Sequence, residues 1–226
     1  HIADGSRLYH RATADYGRRI KVCNSFLMIK IAITGGIGSG KSHVAKLLNI
    51  PVYNADDEAK RLMQTDEGIR ADLLLLLGDK AYCADGTLNK PFLAAYLFAS
   101  PPHAARINEI VHPRVRQDFN RWVAEQERAG EEMVGLESAI LFEAQFEDTV
   151  DAVVMVYAPP ALRMKRAMQR DRATEEQIRE RMDRQMSDEE KCRRADYVIR
   201  NDDSEPLPSQ LKKMIDELTI RFRKRG

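Results

Sequence analysis

The sequence predicts an α/β protein, a parallel sheet with helices on both faces. Three observations point there. Runs that are apolar nearly throughout, IKIAIT at 29–34, EMVGLESAIL at 132–141 and DAVVMVYAP at 151–159, read as strands buried on both faces, where polar alternation is lost. Helical patterns separate these runs, the order that builds βαβ units. A glycine-rich loop joins the first strand to the first helix. The 226 residues, 43% of them hydrophobic, carry enough apolar material for one such domain with insertions, or for two small domains.

The elements follow in order. Residues 1–27 show no clear period, and Met28 follows directly, so they are expected to be a leader or upstream extension outside the fold. Arg7, Arg11, Arg18 and Arg19 suit a targeting presequence, but Asp4 and Asp15 do not, because such segments are poor in acids. IKIAIT is the first strand, and SHVAKLL opens the first helix. PVY at 51–53 is a second strand, with a helix from about Asp57. GIRADLLLLLG is helical to Gly78, ADGTLN at 84–89 is a turn, and KPFLAAYLF starts a helix with Pro91 in its first turn. The stretch 101–130 reads as two helices, broken or kinked around Pro113. No strand signal occurs over 57–130, which reads as a helical insertion. After the strands at 132–141 and 151–159 comes an arginine-rich helix. Thr174 with Gln177, and Ser187 with Glu190, form capping-box patterns that start two more helices. ADYVIRND holds a last short strand, and an amphipathic helix with a basic tail, RFRKRG, ends the chain.

Composition excludes several classes. The 36 Lys+Arg against 35 Asp+Glu leave a net charge of +1, which argues against a nucleic-acid binder. No apolar run approaches the ~20 residues of a membrane helix, so no membrane partner is expected. Cys23, Cys83 and Cys192 are too widely spaced for a zinc knuckle or a CxxC site, and free thiols in a reducing cytoplasm are expected.

The chemistry starts at the loop. Gly35, Gly40, Lys41 and Ser42 complete the pattern G-x-x-x-x-G-K-S between an apolar strand and a helix. Gly36, Gly38 and Gly40 can take backbone angles closed to other residues, so that successive N–H groups ring an anion. Lys41 adds a full charge at the β- and γ-phosphates, and the Ser42 hydroxyl is placed to ligate Mg²⁺. The loop is therefore expected to hold a nucleoside triphosphate. NKPF at 89–92 lacks the Asp of a guanine-reading NKxD motif, and the strand VVMVYA does not end in the acid pair of a motor. A kinase of a small molecule leads.

On the acceptor side, Asp56 lies just past the second strand, at the end of the sheet where ligands gather. It either orients or deprotonates an acceptor hydroxyl, or, like Asp57, N-caps the next helix. Arg163, Arg166 and Arg170 share one helix face, with Arg172, Arg181 and Arg184 beyond. That is the composition of a lid closing over phosphates, and also of a solvated helix paired by Glu175, Glu176 and Glu180. His112, beside Pro113, reads as structural.

From Met28 onward these stretches, in order, resemble the dephospho-CoA kinases: ITGGIGSGKS, NADDEAK, DGTLNKPFL, INEIVHPRV, ESAILFE, LRMKRAMQRD with RMDRQ, and ADYVIRND. The resemblance implies a P-loop nucleotide-kinase fold. Its nucleotide-binding core would be 28–56, 131–160 and 195–226, its helical acceptor (CoA) domain 57–130, and its helical lid 161–194. It implies transfer of the ATP γ-phosphate to the ribose 3′-hydroxyl of dephospho-CoA, with Mg²⁺, in the cytoplasm. Asp56, Lys41 and Arg170 would be catalytic. Gly35, Gly36, Ile37, Gly38, Ser39, Gly40, Lys41, Ser42, His43, Arg170 and Asn201 would bind the nucleotide, with Ser42 on the metal. Asn54, Lys90 and Asn108 depart from the family pattern, which more often has Asp, Arg and Glu there, and the segment before Pro51 is short. Two other readings share the loop: a kinase of another small acceptor, such as a nucleoside or nucleotide, and a nucleotide-dependent binding or switch protein using the basic tail.

Overall fold

A computed structural model of the chain describes residues 27–223, with side chains to 222. The expected leader, apart from Leu27, together with Cys23 and the last residues of the basic tail lie outside them. The sheet is built around Ile29–Thr34 (β1). Its side chains alternate, so Ile31 and Ile33 enter one core and Ala32 the other. The chain then runs through the glycine loop into Lys41–Leu47 (α1) and Val52–Asn54 (β2). Ala55–Thr65 (α2), Glu67–Leu77 (α3), Lys90–Ala99 (α4) and Pro101–Ala129 (α5) form a helical cluster. Met133–Glu137 (β3) and Ala152–Tyr157 (β4) return to the sheet. Pro160–Asp171 (α6), Glu175–Asp183 (α7) and Asp188–Arg194 (α8) precede Tyr197–Arg200 (β5) and Leu207–Arg223 (α9).

Among the described residues the sheet has five strands in the order β2-β3-β1-β4-β5, all paired parallel. One face packs Val44 of α1 and Leu211, Met214 and Leu218 of α9 on Ile31, Ile33, Val154 and Val156. The other packs α2, α3 and α5 through Leu62, Ile69, Leu73, Val111 and Phe119 on Ala32, Leu136 and Val153. Each such Val, Leu, Ile, Met or Phe side chain contributes about 1.5–3 kcal/mol by leaving water. Strand register aligns the loops at the carboxyl end of the sheet. Glu137 lies opposite both Ile33 of β1 and Asn54 of β2, so the segments after these three strands leave the sheet at one level.

Local chemistry sets the helix ends. Asp66 caps α3 through Ile69 N at 2.8 Å, and Gly78, at φ +75°, ends it. The Thr174–Gln177 capping box closes at 3.3 and 3.0 Å, and Ser187 Oγ accepts from Glu190 N at 3.2 Å. Three expectations need correction. The stretch from Pro101 to Ala129 is one helix, not two. Ile107, Val111, Val115 and Phe119 form an unbroken buried stripe at spacing four, while Pro113 faces solvent. There Pro113 removes one bond of the helix ladder, and the packing of the buried stripe outweighs that loss. The strand expected over 132–141 stops at Glu137, because the chain turns: Ile140 N donates to Ser138 Oγ at 3.2 Å and Ala144 N to the Ile140 carbonyl at 2.9 Å. The helix expected from about Asp57 begins at Ala55, capped by Asn54, whose Oδ1 accepts from Asp57 N at 3.0 Å.

Candidate active site

The loop from Gly35 to Gly40 is shaped by close packing. Gly38 and Gly40 sit at φ +78° and +89°, the left-handed region that favours glycine. A Cβ on Gly38 would lie 2.2 Å from the Arg163 carbonyl oxygen, so backbone meets backbone there. Asn201, nine-tenths buried, braces the loop: its Nδ2 donates to the Ser39 carbonyl at 2.8 Å, and its own carbonyl accepts from Arg166 at 3.0 Å. Thr34 Oγ1 and Ser39 Oγ are buried without a hydrogen-bond partner. Orphaned hydroxyls of this kind call for an explanation, and a site completed by a ligand supplies one. Lys41 makes no ion pair or hydrogen bond through its side chain among the described residues, and His43 is exposed beside it.

The acid of the site is Glu137. Its Oε1 accepts from Ser42 Oγ at 2.5 Å, and the residue is 5% exposed. The sequence reading missed it, having sought an acid at the end of the strand 151–159. The signal was one strand earlier, in MVGLE, a buried run closing on a single carboxylate. Beside it, Asp56 occupies the first turn of α2, half-buried, with no hydrogen bond or ion pair among the described residues. Asn54 supplies the cap, so neither Asp56 nor Asp57 is used for capping. The departure at Asn54 costs the helix nothing, since Asn caps as well as Asp.

The α6–α8 segment meets the loop at Ile37. Its side chain packs with Ala167 and Ile178. Its carbonyl accepts from Arg163 Nε at 2.9 Å, and its N–H donates to Gln185 Oε1 at 3.2 Å. Arg163 is buried and ion-paired with Asp188. The pairing partners differ from those expected: Arg170 and Arg181 converge on Asp171, at 2.6 and 2.6 Å, and only Arg179 pairs with Glu175. Asp171 is held well below the usual carboxylate range, first by its bond from Arg170. Arg170 itself is exposed, and its hydrogen bonds go to Asp171 rather than to the loop. Arg184 lies over the Phe98 ring of α4, 4.5 Å from its centre. His112 packs against Phe146, and burial pushes its pKa down, as suits a structural histidine. Thus Lys41, Ser42, Glu137, Asn201 and the loop come together. Asp56 stands at the same level of the sheet, and Arg170 stands at the outer end of α6.

Comparison with known proteins agrees with this geometry. Residues 29–206 match the family model described as dephospho-CoA kinase. A dephospho-CoA kinase of Bacteroides fragilis is 50% identical over 192 residues, covering 84% of this chain and 92% of that protein. One of Salinibacter ruber is 42% identical over 181 residues, 77% of this chain and 89% of its own. The crystal structure of TT1252 from Thermus thermophilus superposes with a TM-score of 0.70 at 32% identity, covering 86% of this chain and 97% of that one. The dephospho-CoA kinase of Campylobacter jejuni, at 22% identity and TM-score 0.60, covering 84% of this chain and 96% of its own, shares the fold.

Proposed function

The chain belongs to the dephospho-CoA kinase family, and from that membership we infer how its own residues carry the reaction. It transfers the γ-phosphoryl of ATP to the ribose 3′-hydroxyl of dephospho-CoA, giving ADP and coenzyme A, the last step of coenzyme A biosynthesis. One observation carries the assignment of roles. The glycine loop, the Glu137–Ser42 pair and Asp56 leave adjacent parallel strands at one level. Strands lie about 4.8 Å apart, so donor and acceptor chemistry sit within roughly 10 Å.

The residues from Gly35 to His43 cradle the ATP phosphates, with Asn201 fixing the shape of the loop from behind. Lys41, unpaired among the described residues, gives its charge to the β- and γ-phosphates. Asp56 takes the proton of the ribose 3′-hydroxyl or orients it for in-line attack. Ser42 Oγ and the Glu137 carboxylate are hard oxygen donors, the kind Mg²⁺ prefers, and Mg²⁺ at a phosphate needs only one or two of them from the protein. Bound there, it would neutralise charge on the β- and γ-oxygens. The helices from 161 to 194 act as a lid that excludes water, so ATP is transferred rather than hydrolysed. Arg170 is the lid cation for the transferring phosphoryl, with Asp171 holding its fork until closure. The cluster over 57–130 receives the acceptor, and Arg184 on Phe98 supports contact between lid and acceptor domain. Free Cys83 and Cys192 support a reducing, cytoplasmic setting. Among the described residues no helix is long and apolar enough to cross a membrane.

The test is ADP release from purified protein with Mg-ATP, with and without dephospho-CoA, and the mass of the product. A dephospho-CoA-dependent rate and a product one phosphate heavier are expected. Nucleotide binding without that stimulation would overturn the acceptor.

A further inference from the structure

Lys191 is a lysine with no exposed surface, in an α8 that is otherwise mostly polar. Its Nζ donates to the Ala139 carbonyl at 2.7 Å and lies 3.4 Å from Glu143 Oε1. Burying an ammonium is costly, and one carboxylate at that distance offsets it only in part. Glu143 is also shared, since its Oε1 accepts from Met186 N at 2.7 Å. Burial lowers the pKa of Lys191; Glu143 opposes this, and the charges of Arg163 and Lys41 add smaller pushes in the direction of burial. A buried cation opposed by two cations of a phosphate site is poor design for stability alone. Its place suggests what it is kept for. Ala139 is two residues past Glu137, in the turn that carries the chain out of β3. That turn is tied to β1 by Ser138 N on the Ile33 carbonyl at 3.1 Å. Lys191 ties it from the other side.

We propose that Lys191 is a positioning residue of the phosphoryl-transfer site: its buried ammonium pins α8 to the turn after β3 and so holds Glu137 against Ser42. The proposal rests on the roles given above to Glu137 and Ser42. It makes the lid helix and the end of the catalytic strand one unit, with the Ala139 carbonyl as the joint.

Lys191→Met separates this from a structural role. Met fills the same space without the charge, but removing one partner leaves Glu143 and the Ala139 carbonyl without their cation, so the variant should melt below wild type. A merely structural role would end there; the variant, assayed well below its melt, goes further. Its kcat should fall about tenfold or more, with KM for ATP within about threefold, because a group acting at the transferring phosphoryl is displaced while the loop stays intact. Lys191→Gln, which retains a donor for the Ala139 carbonyl, should recover part of kcat, and it carries the comparison if the Met variant is insoluble. Wild-type activity measured alongside keeps the two readings apart: an inactive wild type overturns the proposed reaction and this role with it, while an active wild type matched by an equally active variant overturns the role of Lys191 alone. A variant that melts lower yet turns over at the wild-type kcat would overturn the proposal. So would one that raises KM for ATP with kcat unchanged.

Discussion

Asp56→Asn tests the acceptor side most sharply, because structure and chemistry predict very different magnitudes. The swap keeps the size and removes the charge. Asp56 has no hydrogen bond or ion pair among the described residues, and Asn54 already caps the helix. Folding therefore loses only the attraction of a carboxylate to a helix N-terminus, about 0.3–1 kcal/mol. For a chain of this size that is roughly 1–4 °C in Tm. The reaction loses a positioned base, worth about 10²–10⁴ in rate, or roughly 3–5 kcal/mol of barrier. Initial rates of dephospho-CoA-dependent ADP release at saturating Mg-ATP give kcat. Calorimetry gives the Kd for ATP, and a thermal melt gives Tm. We expect kcat to fall at least ~10²-fold, with the Kd for ATP within about twofold, since the loop is untouched. An unchanged kcat would refute this role and leave Asp56 as a helix-start carboxylate with no part in the chemistry.

Three other outcomes are expected from the same geometry. Arg163→Met should destabilise by about 3–5 kcal/mol, because it leaves Asp188 buried without its partner; the double variant Arg163→Met/Asp188→Leu should recover most of that in denaturant melts, and equal melts for both would contradict the buried pair. Gly38→Ala should lower ATP affinity about tenfold or more, since neither φ +78° nor the Arg163 backbone 2.2 Å away can accept a Cβ; calorimetric titration with ATP measures it, and wild-type affinity would place the anion elsewhere. The depressed pKa of Asp171 means that its pairing with Arg170 and Arg181 stabilises the protein fully above its ordinary carboxylate pKa of 3.8 and is lost as pH falls through its lower folded value. Asp171→Asn should therefore be the less stable protein at pH 6 and converge with wild type as the medium becomes strongly acidic; a gap that persists or widens in acid would reverse the sign.

Legibility in the sequence followed the range of the interactions. The phosphate loop was readable because its requirements are local: glycine at left-handed angles, then Lys41 and Ser42 at fixed offsets. The caps at Thr174 and Ser187, and the stop at Gly78, are local in the same sense. The strand at 151–159 was plain because burial on both faces leaves an unbroken apolar run. Pro113 misled because the local rule was right about the lost bond and silent about Phe119 and its neighbours. Glu137 closes an apolar run, a local sign that it is no surface acid, but that run does not say what the acid meets. Its meaning comes from Ser42, 95 residues away, through strand order.

The arginines of α6 show most clearly what spacing cannot say. Positions 163, 166 and 170 share one helical face, and that much was visible. The rise along a helix is about 1.5 Å per residue, so seven residues span roughly 10 Å. That is the distance from the packed end of this helix to solvent. Arg163, in the first turn, is 6% exposed and grips Ile37. Arg166, one turn on, reaches the Asn201 carbonyl. Arg170, in the last turn, has a side chain 58% exposed and, among the described residues, bonds to Asp171 alone. One face thus carries three different arrangements, graded by depth: clasping the loop, bracing its support, and pairing with an acid at the rim. Arg163 is told from its neighbours by its partners, the Ile37 carbonyl and Asp188, which lie 126 and 25 residues away in the chain.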